Sequence, residues 1–239
     1  CLPSDAEIRE IINNQGIDLK QYDTLSILTF RNCDAEVFPF YVITFRYIDG
    51  EGKTRTIPMI VATLEYYNLI YTDFPFKWDP FRGGFTHEVG HVLGLGHANA
   101  LDCAPGDSIG PTCLLDEYGN VYDIMGHQSS NLIGLQFNSY YKDKLGFFND
   151  GSILEIGYSG TYSISPFEMK PLETTTGKVA AKIILPGETI PSYYIEYRQD
   201  IGFDSHKLDK KQEGILIYKK YIKDDVTYVI VGYEKRYDL

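Results

Sequence analysis

The segment that most constrains this chain runs from His87 to His97 and reads His-Glu-Val-Gly-His-Val-Leu-Gly-Leu-Gly-His. Histidines four positions apart lie about 40° apart around a helix axis, so the imidazoles of His87 and His91 can reach one metal ion. Gly94 can take the positive φ that ends a helix, and His97 then supplies a third nitrogen. The segment therefore predicts a helix that ends at a metal site.

The donor set indicates which metal to expect. Three nitrogen ligands with a fourth position open to water are typical of catalytic zinc, whereas structural zinc is closed by four protein ligands, usually cysteines. Glu88 lies roughly 100° around the helix from the first ligand, where its carboxylate can act as a general base without becoming a ligand. Three of the five histidines lie in this one segment. We therefore expect Zn²⁺ as the cofactor and Glu88 as the catalytic residue.

Charge and hydropathy limit the classes of partner. The 239 residues include 22 basic and 33 acidic side chains, for a net charge of -11, and no block of lysine and arginine occurs. We therefore expect no nucleic acid as a partner. No run of about 18 apolar residues occurs, so no transmembrane segment is expected in this chain. Because the chain opens on Cys1, we expect a processed or excised unit. We also expect a monomer.

The pattern before residue 150 predicts helices and strands together, an α+β fold. Ser4, followed by acidic residues and by isoleucines at helical spacing, predicts a helix over residues 4–14. Two more helices are expected, over residues 79–94 and 138–146. Segments rich in β-branched and aromatic residues are expected to be strands of one sheet, at residues 24–31, 38–47 and 54–63.

Beyond residue 150 the pattern changes to alternating strands. They are expected at residues 160–164, 179–185, 193–198, 214–219 and 227–233. We therefore predict two domains, a catalytic domain of residues 1–150 and an all-β module of residues 151–239.

Four cysteines are present, Cys1, Cys33, Cys103 and Cys113, and they allow two disulfide bonds in three connectivities. We favour Cys103 with Cys113, because a bridge there would restrain a loop rich in Gly, Pro and Asp. That choice leaves Cys1 with Cys33 by default. Four free thiols in a cytosolic protein are the alternative.

The histidine motif resembles that of the metzincin metallopeptidases, in which it is followed by a methionine turn. Here the turn is identified in Tyr122-Asp123-Ile124-Met125-Gly126. Within the metzincins the chain resembles the gametolysin family and its bacterial and protist relatives. Besides the zinc motif, that similarity is carried by residues 117–119, 123–126, 137–146, 194–198 and 202–204.

The resemblance implies both a fold and an activity. The expected fold is a metzincin-type catalytic domain, with a twisted mixed sheet, an active-site helix and a Met-turn subdomain, followed by a sandwich-like all-β module. Met125 and Gly94 would support the site. The expected activity is that of a secreted or cell-surface metalloendopeptidase that hydrolyses extracellular proteins, and glycoprotein substrates are a second prediction.

One position departs from related metzincins. Astacin-like and serralysin-like relatives place a tyrosine two residues after the methionine, and this chain has His127 there. His127 is either a polar residue near the cleft that steadies an oxyanion or a loop histidine. We favour the loop histidine.

Two other functions stay open as alternatives. The tyrosine-rich strands after residue 150 suggest a carbohydrate- or protein-binding module, although we favour packing that stabilises the catalytic domain. The second alternative is a zinc-binding pseudoprotease without turnover, and the intact Glu88 argues against it. A calcium site is a further alternative near Asp102, Asp107, Asp116 and Glu117, but these carboxylates lack the regular spacing of a calcium loop. We interpret these four as solvated loop residues.

Overall fold

The computed structural model describes residues 3–29, 40–63, 80–102, 113–126, 136–169, 177–189, 191–205, 213–223 and 226–232. Helices and strands are both present, which confirms the predicted α+β class. The chain divides into two compact units, Cys1–Gly94 and Leu95–Leu239. In the part of the chain that is described, none of the helices has the length and apolar character needed to cross a membrane.

The first unit contains a three-stranded sheet in the order β1-β3-β2. Its strands are β1 (Leu25–Thr29), β2 (Phe40–Ile48) and β3 (Thr54–Thr63), with β1 parallel and β2 antiparallel to β3. All three were predicted, and their membership of one sheet is confirmed.

Helix α1 (Asp5–Asn14) is also confirmed. It begins at a capping box in which Ser4 and Glu7 satisfy each other's backbone N–H groups. Its apolar side, including Ile8 and Ile12, packs in one core with residues of the sheet such as Phe45. This burial is what holds so short a helix in place, since isolated helices of this length are marginal in water.

Helix α2 (Pro80–Val92) carries the first two histidines of the motif. A Cβ atom added at Gly84 would lie 2.3 Å from Cδ2 of Phe40, so only glycine allows α2 to approach β2 this closely. Past the helix end, Gly94 has a φ of 81°. The predicted helix and the turn at its end are therefore both confirmed.

The turn between β2 and β3 is organised by one carboxylate. Asp49 has a fully buried side chain and accepts hydrogen bonds from the backbone N–H groups of Lys53 and Glu51, both at 2.9 Å, and from Nε of Arg55 at 2.9 Å. The bond from Lys53 contributes most to holding the pKa of Asp49 well below its usual range.

Acid is therefore expected to weaken the first unit through Asp49. Because its pKa is lower in the folded than in the unfolded chain, Asp49 stabilises the fold above its unfolded pKa of about 3.9, and this contribution is lost as the pH falls. Urea unfolding at about pH 6 and about pH 3 should show a smaller loss of stability for Asp49→Asn than for the parent chain. An exposed carboxylate of the same unit, Asp23, provides the control Asp23→Asn. Equal losses in Asp49→Asn and in the parent would contradict the assignment.

The second unit contains a seven-stranded sheet in the order β5-β4-β10-β9-β8-β7-β6. Its strands are β4 (Ala98–Asp102), β5 (Leu114–Asp116), β6 (Ile153–Ile156), β7 (Ala180–Ile183), β8 (Tyr193–Arg198), β9 (Gly214–Lys223) and β10 (Val226–Gly232). The predicted helix over residues 138–146 is confirmed as α3 (Ser139–Lys144), which Asn138 caps and which belongs to the same unit. Strand β10 runs parallel to β4 and antiparallel to β9.

The sheet places the boundary between compact units away from residue 150. Strands β4 and β5 precede that residue, yet β4 is hydrogen-bonded to β10, which follows it. Along the chain, the boundary between the compact units therefore falls between Gly94 and Leu95, and the strands described in the second unit form one sheet. The division into a catalytic domain of residues 1–150 and a module of residues 151–239 stays a prediction of function.

Two details of the strand prediction were wrong. Residues 160–164 form no strand, and the hydroxyl of Tyr162 instead donates to the carbonyl of Tyr158 in a local turn. The strand of this region is β6, which pairs with β7. Strands β4 and β5 were not predicted, because neither contains a β-branched or aromatic residue.

Candidate metal centre

The structure brings together the three histidines of the motif. His87, His91 and His97 each present a ring nitrogen, and these nitrogens all lie within 4.8 Å of one another. Imidazole nitrogens are preferred donors for zinc, and three of them leave a coordination position open. The residues present therefore fit the predicted ion.

Helix α2 accounts for the first pair. His87 and His91 are one turn apart, and their ring centroids are 4.8 Å apart with the ring planes at 83°. Residues four positions apart in an α-helix have their side chains on the same face. Since the backbone of both residues is helical, regular secondary structure alone sets their spacing.

Glu88 is a half-buried carboxylic acid next to the first histidine in sequence. Burial raises the pKa of Glu88 to about 7, because the charged form loses solvation. A carboxyl group with such a pKa can both accept and donate a proton near neutral pH.

His97 lies in an irregular segment between α2 and β4, and two neighbouring side chains contact its ring. Its Nδ1 atom is 2.8 Å from Oε1 of Glu117. The ring of Tyr118 lies against it, with centroids 3.7 Å apart and planes inclined by 31°. Glu117 lies in a turn and its side chain is exposed, as predicted for a solvated loop residue, and its contact with His97 is an addition to that prediction.

The backbone on both sides of His97 is also held. The hydroxyl of Tyr141 donates to the carbonyl oxygens of Gly96 and His97, at 2.8 and 3.0 Å. The N–H of Ala98 donates to the carbonyl of Met125 at 2.8 Å. Met125 itself is fully buried in the core of the second unit, together with Leu95 and Ile124. The predicted methionine turn is thus tied to the residue that follows His97.

A buried carboxylate shapes that turn from within. Asp123 accepts hydrogen bonds from the N–H of Met125 at 2.7 Å and from the N–H of Asn138 at 2.6 Å. Burial raises the pKa of Asp123 to about 7, although both hydrogen bonds favour the charged form. Asp123 therefore joins the turn to the start of helix α3.

Strand β8 supplies a second set of buried charges. Arg198 donates to Glu196 at 2.7 Å and to the carbonyl of Tyr122 at 3.3 Å, and it also binds the carboxylate of Asp204. Glu196 in turn accepts from the N–H of Ser139 at 2.7 Å. Because charged groups are stable in a protein interior only when paired, this network fixes the turn and α3 to the sheet.

Several predicted residues lie outside the described part of the chain: His127, Cys1, Cys33 and Cys103. Cys113 is described and is disulfide-bonded. Its pairing with Cys103 stays a prediction, as does either interpretation of His127.

Comparisons of the chain with protein-family models, curated proteins and solved structures found no significant match. The resemblance to metzincins therefore stays an expectation based on the sequence motif. The function of the chain has to be inferred from the chemistry of the site itself.

Proposed function

We propose that this chain is a zinc-dependent endopeptidase of the metzincin type. The observation that carries the proposal is the convergence of three histidine nitrogens within 4.8 Å, in a segment where Glu88 follows the first histidine. His87, His91 and His97 would hold the ion, and Glu88 would be the general base. A half-buried carboxyl group whose pKa is raised to about 7 suits that role.

When bound, zinc would polarise the scissile carbonyl and acidify a water molecule. Glu88 takes a proton from the water whose oxygen attacks the carbonyl carbon of the peptide. The peptide C–N bond then breaks, and Glu88 returns the proton to the departing nitrogen. The carboxyl group therefore ends the cycle in its starting state.

The finer expectations of fold and substrate belong to the same proposal. A metzincin-type catalytic domain is supported by the mixed sheet, by α2 and by the turn that contains Met125. The disulfide bond of Cys113 supports a secreted or cell-surface protein, because such bonds persist in oxidising compartments. The substrates would be extracellular proteins, with glycoproteins as one class among them.

Metal removal tests the proposal. The purified chain is expected to contain one zinc ion and to cleave a denatured protein mixture, and a chelator should abolish cleavage until Zn²⁺ is restored. His91→Ala should lose the bound zinc, whereas His206→Ala, which changes a histidine outside the motif, should keep it. Bound zinc should also raise the unfolding temperature, since a ligand at 1,000 times its Kd adds about 4 kcal/mol.

Two outcomes would contradict the proposal in different ways. Failure to bind zinc would remove the metal centre altogether. Zinc bound at one ion per chain, with no cleavage of any substrate, would instead favour a pseudoprotease.

A further inference from the structure

The turn that precedes the buried methionine contains an unusual backbone conformation. Among the described residues, Tyr118 is the one non-glycine residue with a positive φ, at 65°. A residue with a Cβ atom adopts this left-handed conformation only at an energetic cost, because its Cβ crowds the backbone. Such a conformation persists only where the surrounding structure enforces it.

The surroundings of Tyr118 do enforce it. The N–H of Gly119 donates to the carbonyl of Asp116 at 3.1 Å and closes the turn. The N–H of Tyr118 donates to Oδ1 of the fully buried Asn99 at 3.0 Å. A Cβ atom at Gly119 would lie 2.5 Å from Asp116 and 2.7 Å from Ala100, so the turn packs closely on β4.

This strained turn carries the two side chains that contact His97. Glu117 meets the edge of the imidazole at Nδ1, and Tyr118 meets its face. The side chain of His97 remains 23% exposed, so packing alone does not fix its ring. His87 and His91, by contrast, take their spacing from helix α2.

We propose that Glu117 and Tyr118 together form a clamp that positions His97 for metal binding. Glu117 accepts the Nδ1–H of the imidazole, which leaves the lone pair on Nε2, and Tyr118 fixes the plane of the ring. This inference rests on the proposed function, because it gives the clamp its purpose. Neither residue would touch the substrate, so both are positioning residues.

The clamp strengthens metal binding by ordering a ligand in advance. A ring that already has the correct tautomer and plane loses less conformational freedom when the ion binds. Partners of this kind typically contribute 10–100-fold to metal affinity. The strain at Tyr118 is the conformational cost of placing its ring against His97.

The test measures Zn²⁺ affinity of the full chain by competition with a chromophoric chelator, and Co²⁺ binding by its visible spectrum. Glu117→Ala is expected to weaken Zn²⁺ binding 10–100-fold, and Glu117→Gln, which keeps a carbonyl acceptor, should recover part of the loss. The control is Glu155→Ala, because Glu155 is also a carboxylate of the second unit that contacts a side-chain nitrogen, with a side chain 64% exposed against 66% for Glu117. It should bind Zn²⁺ like the parent.

Tyr118→Gly provides a second test, because it separates two effects. Relief of the backbone strain changes the stability of the metal-free chain, whereas loss of the clamp changes the affinity for Zn²⁺. Tyr118→Gly relieves the left-handed backbone, so the metal-free chain should unfold at the same or a higher temperature. The same variant should bind Zn²⁺ more weakly and change the Co²⁺ spectrum, while Tyr118→Phe should retain both properties.

Each failure has its own signature. A parent chain that binds no Zn²⁺ would overturn the clamp and the proposed function together. Parent-like affinity in both Glu117→Ala and Tyr118→Gly would overturn the clamp alone. A Tyr118→Gly chain that loses affinity only together with metal-free stability would show that the ring supports the fold, and would also overturn the clamp.

Discussion

Replacing Glu88 with glutamine is expected to lower kcat/KM for peptide hydrolysis by about 10²–10⁴-fold, while one zinc ion per chain remains bound. Glutamine has nearly the same size and polarity as glutamate, but its amide cannot accept a proton from water. Glu88 is not one of the three residues whose side-chain nitrogens converge, so the change should leave the metal affinity intact. The loss should therefore appear in turnover and not in zinc content.

A surface glutamate of a helix provides the matched control. Glu10 is exposed on α1 in the same compact unit, and Glu10→Gln should retain parental kinetics. Hydrolysis and zinc content are measured side by side for the parent and both variants. Near-normal turnover in Glu88→Gln would remove Glu88 from the mechanism, whereas loss of zinc in that variant would assign it a structural part in the metal centre.

The local part of this site could be predicted from sequence, and the reason is geometric. His87 and His91 are four positions apart, which places them on the same face of any helix. Gly94 ends that helix whatever the fold around it. Strand β8 was likewise predicted at its observed bounds because its apolar residues alternate with Glu196 and Arg198, although these two charged side chains are the buried ones. Each of these signals lies within a few residues of chain.

The contacts of His97 could not be predicted in this way. Glu117 is twenty residues away in sequence, and only the pairing of β4 with β5 brings its turn back to the histidine. Asp123 and Arg198 carried no local sign of burial either, because charged residues are usually exposed. Their partners become visible only when the sheet is assembled.

The assembled sheet also changes what is expected of a shortened chain. The buried core of the second unit includes residues from both sides of residue 150, such as Met125, Tyr141, Tyr194 and Tyr218. Strand β10 pairs with β4 directly after the third histidine, with Val229 opposite Ala98. Residues beyond 150 therefore belong to the structure that carries His97.

A chain that ends at Asp150 is accordingly expected to lose cooperative unfolding, stoichiometric zinc and hydrolysis together. It retains only β4 and β5 of the seven-stranded sheet. Asp123 would keep its backbone partners, but Tyr122 would lose Arg198, and Ser139 would lose Glu196. Buried groups without partners cost about 1–3 kcal/mol each, and the apolar core would be exposed as well.

The control is a chain that ends at Gly232, which removes only residues beyond β10 and should unfold and bind zinc like the parent. Thermal unfolding, zinc content and cleavage are compared for the three lengths. A chain ending at Asp150 that unfolds cooperatively and cleaves normally would contradict this prediction.

The strands after residue 150 would then be an accessory module, and a carbohydrate- or protein-binding role for them would become the better interpretation. Loss of all three properties in that chain alone would instead make those strands the support on which the third histidine depends.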